Sequence, residues 1–448
     1  MTSCKKLGVL ALWAVSASAF ATNGMNLEGY GPVATAMGGA SFAYQNGAGA
    51  MMNNPATLGL MPEGRGIGVA LGFLGPDVSS ANTASGGDAY FMPAFGYVAK
   101  RGKLTYGFGV YSQGGMGTEY GAGSPMAYNT GAPVRSEVGV GRLILPLAYD
   151  VNDRLTLGGS LDWVWATMDL SMAATASQFM AMSTGSMSPG MFGLVGPRVF
   201  AGDNFRVDFS DDSDFSGEAF GSGFALKLGL VYKVSPTLTV GATYHSKTRL
   251  NDLKTDDGQA RMSSFDGSGG RQVSSVGKVT VHDFQWPETY GFGIAYQLSD
   301  DWMLAADYKR INWADAMRDF MMTYRTGSDF ADFTINQDWK NQDVFMVGAA
   351  YRASDRLTVR FGGNFSDNPV PDNRVHPMFP ATVKNHYTAG FSYLFGRQHA
   401  LDFSMTYAPK VTVRGTQTAD VPQSNAPSNN MKISHSQINW QFQYGYFF

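Results

Sequence analysis

Few side chains in this sequence are placed to do chemistry, and those few suit recognition of apolar molecules better than bond-making. Serine, histidine and aspartate are all present, yet nothing in the chain assembles a nucleophile with its base. The acidic run Asp208, Asp211, Asp212, Asp214 and Glu218 lacks the spacing and the glycine of a calcium loop, and no other cluster reads as a metal or cofactor site. Residues 173–218, by contrast, gather Phe179, Met180, Met182, Met187, Met191 and Phe192, with Met172 at the edge. Methionine is flexible and polarizable and suits promiscuous apolar surfaces. A water-facing connection this apolar either folds over itself or binds something greasy. Bases that could meet an acidic ligand are Lys227, His245, Lys247, Arg249 and Arg360 on the polar faces of strands, with Arg318 on another segment. A buried carboxylate wants such a partner, most usefully a bidentate arginine. Each base equally suits an ion pair within a polar wall.

The segments that must position these groups read as strands. The stretch Ile438 to Phe448 puts Ile438, Trp440, Phe442, Tyr444, Tyr446 and Phe448 on one face. Asn439, Gln441, Gln443 and Gly445 fall on the other, because side chains alternate across a strand. So apolar a strand is a hazard at an open sheet edge. It suits a transmembrane barrel, with aromatics towards lipid, polar groups towards the lumen, and a partner strand that closes the edge. Tyr446 and Phe448 are then the expected assembly signal. The same alternation recurs at Ile67–Phe73, Leu155–Trp165, Phe224–Tyr232 and Leu357–Phe365, with charges on the non-lipid face. A large soluble β-sandwich is the alternative. Short polar turns at 100–103, 150–154, 233–237, 298–301, 352–356 and 396–399 join strands in pairs. With one strand before the first pair and one after the last, the expected count is fourteen, even as single-chain bacterial barrels require. The opposite connections are long, which places the short turns in the periplasm and the long loops outside.

The N-terminus agrees with export. Lys5 and Lys6 precede an apolar run from Leu7 to Val15, and Ala19-Phe20-Ala21 offers a cleavage site, so residues 1–21 read as a signal peptide. The single cysteine, Cys4, precedes that run, so the mature chain has no disulfide framework. No later stretch is apolar for long enough to make a transmembrane helix. Charged residues are 15%, well under the usual quarter. Without Lys5 and Lys6 the net charge moves from −3 to −5, which offers no basic footprint for nucleic acid. Residues 22–63 hold only Glu28 and Glu63 as charges and are rich in glycine and alanine. A periplasmic tail should be polar. The segment therefore reads as a compact plug inside the barrel, with a disordered linker as the alternative. The expected division is signal peptide 1–21, N-terminal hatch 22–63 and barrel 64–448.

Taken in order, the segment with Asn54-Pro55-Ala56, the strand opening Trp286-Pro287-Glu288, the loop Asp367 to Pro371 and the aromatic last strand resemble the long-chain fatty-acid transporter family of outer-membrane proteins, the FadL type. The resemblance implies a fourteen-stranded antiparallel barrel in the outer membrane of a Gram-negative bacterium, with a hatch that includes Asn54, Pro55 and Ala56. It implies passive transport of hydrophobic small molecules, fatty acids or related hydrocarbons, by a monomer without a cofactor. Its partners would be outer-membrane lipids and the barrel assembly machinery. Ligand would be captured between outer loops, here 173–218 and 252–274, and leave sideways through a kinked third strand, here near Gly114, Gly115 and Gly117. Fatty-acid members carry an arginine just after the fifth strand. The matching stretch Met168 to Met172 has no base, which points to a neutral ligand unless Lys227, Lys247, Arg249 or Arg318 substitutes. A general diffusion porin is the competing reading.

Overall fold

The computed structural model describes residues 23–183, 186–209, 218–416 and 430–448. The expected signal peptide and most of the acidic run lie outside these residues. A single antiparallel sheet of twenty-two strands dominates. In chain order they are β1 (Gly64–Ser80), β2 (Thr83–Ala84), β3 (Tyr90–Arg101), β4 (Leu104–Tyr120), β5 (Val134–Asp150), β6 (Leu155–Thr175), β7 (Asn204–Asp208) and β8 (Ala219–Lys233). Next come β9 (Leu238–His245), β10 (Arg249–Leu250), β11 (Leu253–Lys254), β12 (Ala260–Phe265), β13 (Arg271–His282), β14 (Thr289–Gln297) and β15 (Trp302–Ile311). The last are β16 (Asp319–Thr326), β17 (Asp329–Asn336), β18 (Gln342–Arg352), β19 (Leu357–Ser366), β20 (Asn385–Phe395), β21 (His399–Thr416) and β22 (Asn430–Phe447).

The sheet closes on itself, and its circuit corrects the expected count. It runs through eighteen strands, not fourteen: from β1 through β3, β4, β5 and β6 to β7, β12, β13 and β11, then β8, β9, β14, β15, β18, β19, β20, β21 and β22, and back to β1. Counting from short turns fails because it treats the long connections as irregular. Those connections carry β7, β11, β12 and the start of β13, which extend the ladder at the loop end. Towards the short turns β6 pairs with β8 directly, Leu155 opposite Tyr232 up to Met168 opposite Ala219. β16 and β17 form a further hairpin leaning on β13.

Alternation governs the wall. Leu157, Leu161, Phe224, Leu226, Leu228, Phe292, Phe361 and Phe442 are exposed on the outside, while Thr156, Ser160, Asp162, Lys227, Gln441 and Gln443 are buried within. An apolar exterior around a polar interior is what a wall facing lipid requires. No helix among the described residues is long and apolar enough to cross a membrane. β22 meets β1 from Phe447 opposite Gly66 to Ile433 opposite Ser80, so the aromatic strand has no open edge. Tyr446 packs on His399 and Phe448, and Phe448 remains half exposed.

Residues from Asn23 to Met61 lie against the inward faces of the strands. They include two short helices, Pro32–Ala36 and Ala50–Asn53, and a 3-10 turn, Pro55–Leu60, and are bonded both among themselves, as where Asn53 donates to Tyr30 O and Asn46 Oδ1, and to the wall. Backbone N–H groups of Ser41 and Phe42 donate to Asp307 at 2.6 and 2.9 Å. Asn54 accepts from Ala56 N at 3.1 Å, capping the turn, and donates to Phe42 O and to Leu230 O of β8. Gly38 has φ +71°, and a Cβ there would lie 2.4 Å from Gly363 O, so only glycine fits. Replacing Gly38 with valine should therefore dislodge this segment from β19 while the outer wall still forms. Limited proteolysis of the folded, heat-modifiable barrel checks this, and the expected outcome is new cleavage within residues 23–63.

Candidate functional site: a breach in the wall beside an aromatic lumen

The ladder between β3 and β4 runs from Arg101 opposite Leu104 to Phe95 opposite Val110, and there it stops. β4 continues to Tyr120 paired with β5 alone, and its register shifts between Ser112 and Gly114. Glycines remove the side chains that hold a regular ladder, and a bulge bends the strand. The N-terminal segment uses the bend: Gly115 N donates to Met25 O at 3.1 Å, and Asn26 forms a bridge with Gly114. A Cβ on Gly114 would lie 2.0 Å from Met25 O. Towards the loop end the gap is bounded where Gly86 N donates to Glu119 O at 2.8 Å. A small cavity of about 30 Å³ lies here, lined by Leu27, Tyr30, Met92, Ala94, Tyr111 and Ser112 among others. Gly114 and Gly115 thus sit at the breach, and Gly117, opposite Glu137, sits in the regular ladder beyond it.

Three tryptophans are fully buried, and the first, Trp286, lies against the bend at Gly114. Trp286 and Trp313 meet edge to face at 5.5 Å, and Trp313 and Trp339 at 5.2 Å. Such geometry favours aromatic contacts. Each indole N–H has a partner: Asn26 for Trp286, Gln342 for Trp313 and Gln337 for Trp339. Only Trp286 was marked in the sequence, and then as part of a motif. Trp313 and Trp339 stand on either side of the β16–β17 hairpin, and their meeting follows from the closure of the wall.

The outer end of the lumen is covered by the connection from Asp367 to Lys384. His376, Met378, Phe379, Ala381 and Val383 are buried in it. It is stitched to β4 by Tyr120 and Thr118, which donate to Pro377 O, to β5 by Ser136, which donates to Met378 O, and to β22 through His435 and Pro380 O. Burial holds the His376 imidazole down to about 3, far below its ordinary value, so the cover carries no charge there at neutral pH.

The predicted capture residues divide. Phe179 stacks on Phe205 at 4.8 Å and meets Phe333 at 4.5 Å, and Met182 and Met191 are buried beside them. Met180 and Met187 are partly buried against the same core, and Met187 bridges to Ala331. Phe192 is 55% exposed, on the helix Pro189–Ala201, whose Phe200 is 95% exposed. The loop's inner residues thus glue it to β17, and its free apolar surface is Phe192 with Phe200. The predicted anchors divide too. Lys227 is buried and meets Asp162 at 2.5 Å, which Arg142 also meets at 2.8 Å. Lys247 donates to Asp315 O, Arg249 is exposed, and Arg318 is 78% exposed against Asp319. Three of the four therefore stand away from the lumen interior. The expectation that Lys247 and Arg249 face inward fails because the strand pairing from β8 to β10 turns Arg249 to the side of the exposed Phe224.

This wall, with its cover and its breach, defines a class, an outer-membrane β-barrel. The sequence matches the family described as outer membrane protein transport protein (OMPP1/FadL/TodX) over residues 8–446. The chain belongs to this family and to the Gram-negative outer membrane. The structure is similar to the toluene transporter TodX of P. putida, at 28% identity and a TM-score of 0.83, covering 94% of this chain and 99% of that one. It is also similar to the toluene transporter TbuX of Ralstonia pickettii, at 29% identity and a TM-score of 0.77 with the same coverage. The 47 kDa outer membrane protein of Pasteurella multocida is 21% identical over 189 residues, 40% of this chain and 42% of that protein. An uncharacterized protein of Chlorobium limicola is 52% identical over 82 residues, 18% of this chain and 40% of that protein. The matches thus span about two fifths of the length of these curated relatives.

The buried pairing of Asp162 with two cations carries a clear expectation. Asp162→Asn leaves Arg142 and Lys227 facing each other without a counter-charge, and should destabilise the folded barrel by about 3–5 kcal/mol. Urea unfolding in lipid vesicles measures it. Lys227→Met should cost less, because Arg142 then keeps Asp162 to itself.

Proposed function

We propose that the protein is a passive channel for small hydrophobic molecules. Ligand lands on the exposed apolar loops, passes beneath the Asp367–Lys384 cover, rests among the tryptophans and leaves sideways between β3 and β4 into the membrane. The observation that carries this reading is the ladder that stops at Phe95 and Val110 while β4 runs on. An apolar solute gains by passing into lipid rather than crossing an aqueous space. TodX and TbuX are described as toluene transporters, and an aromatic ligand finds aromatic contacts at this cluster. A neutral ligand is favoured because Lys227, the one predicted anchor buried in the wall, is already committed to Asp162. An uncompensated buried carboxylate is costly. The channel acts as a monomer and carries no catalytic step. Residues 22–63 serve as a hatch, Asn54-Pro55-Ala56 pin it to β8, and Phe448 and Tyr446 present the last strand to the assembly machinery. A diffusion porin is disfavoured, because the segment from Asn23 to Met61 fills the space its solutes would need.

Two measurements test the reading. Gly114→Val, Gly115→Val and Gly117→Val together should cut uptake of labelled toluene at least tenfold while leaving its affinity in detergent unchanged, since β-branched residues favour regular pairing. Equal losses in both would mean these residues only support the fold. Deleting residues 22–63 should give a barrel that still inserts and conducts ions in a planar bilayer far more than the parent does. No rise in conductance would remove the hatch from the proposal.

A further inference from the structure

The inner wall changes use with height. Beside the N-terminal segment its polar side chains are engaged. Thr388 accepts from Gly38 N at 2.9 Å and donates to Ala36 O at 3.1 Å. Thr406 donates to Glu28 at 2.6 Å, and Gln441 donates to Thr35 at 3.0 Å. One step nearer the cover, the same strands carry polar groups that no protein atom meets. His386 stands two positions before Thr388 on β20, is 0% exposed, and has neither ring nitrogen bonded. Gln437, at 1% exposure on β22, leaves both its amide oxygen and nitrogen unbonded. Asn439 leaves Nδ2 free, and Asn364, opposite His386, leaves Oδ1. His435 completes the row and reaches the cover through Pro380 O at 2.8 Å.

Burying a donor or acceptor without a partner costs more than burying carbon in its place. Several together on one wall, between the N-terminal segment and the cover, form a ledge whose partners must come from what passes through. The surroundings are apolar: Leu74 lies opposite Asn439, Met346 opposite Asn364, and Leu27 and Val383 are buried. We infer that this ledge of His386, Gln437 and Asn439 binds the hydroxyl group of a neutral hydroxylated monoaromatic compound, with the ring against the apolar neighbours. The inference rests on the transport reading above. Imidazole and amide groups both donate and accept, as a hydroxyl needs.

Toluene and phenol differ in a methyl against a hydroxyl, so they isolate the effect. Binding to the purified barrel is read from indole fluorescence, with heat-modifiability confirming the fold of each variant. The protein should bind phenol at least about tenfold more tightly than toluene, roughly 1.4 kcal/mol. His386→Leu and Gln437→Leu should each erase most of that preference and leave toluene affinity within about twofold, while His386→Gln, which keeps a donor and an acceptor, retains it. Equal affinity of the unaltered protein for both ligands overturns the inference and leaves the polar groups to bound water. So does an equal loss of both ligands in the leucine variants. Normal toluene binding without a phenol preference removes the ledge alone. Binding of neither ligand removes the transport reading as well.

Discussion

Every backbone N–H and C=O that faces lipid must be hydrogen-bonded within the protein, and the rest of this structure depends on that constraint. It forces the wall to close, so β22 must find β1. Closure in turn creates an interior wide enough to need contents. The strands meet it with a polar inner face, and the N-terminal segment meets it with a chain of backbone-to-wall bonds, such as those from Ser41 and Phe42 to Asp307. Where the wall breaks, the same rule still applies. The bend at Gly114 takes part of its pairing from Met25 and Asn26, so the breach is supported from inside.

The buried charges follow the same logic. Asp162 sits between Arg142 and Lys227, each at hydrogen-bond distance, and Ser160 donates to its other oxygen. Two cations share one carboxylate, which leaves little to offer an incoming acid. The tryptophans show the converse arrangement. Their rings supply apolar area, and their N–H groups are satisfied by amide side chains at the edges of the cluster. The tryptophans also meet the chain's own N-terminal segment, Trp286 through Asn26 and Trp313 beside Gly24.

Much of this was legible in the sequence, because a two-residue period survives without tertiary context. The outward faces of β1, β6, β8 and β19, the position of the short turns and the anomaly of residues 22–63 all read directly. Of the glycines at 114, 115 and 117, the first adjoins the register shift in β4, and Gly117 lies in the regular ladder beyond it. The strand count was not legible. β7, β11 and β12 are short, embedded in long connections, and pair only because the folded wall brings them together. Inward or outward direction failed for Lys247 and Arg249 for a related reason: they lie past the end of β9, where the period no longer carries over. Trp313 and Trp339 could not be joined to Trp286 from spacing, as their contact is made across strands. The cover at Asp367–Lys384 read as a loop, and only its bonds to Thr118, Ser136 and His435 reveal which way it folds.

The seam between β22 and β1 bears on how the molecule is made. Residue Gly64 begins β1 and is also where the N-terminal segment leaves the wall, so that segment is tethered beside the last ladder to be completed. Its docking surface is spread over β4, β8, β15, β19, β20, β21 and β22 itself. Its bonds join strands far apart in the sequence, so the docking of this segment and the closing of the sheet are linked.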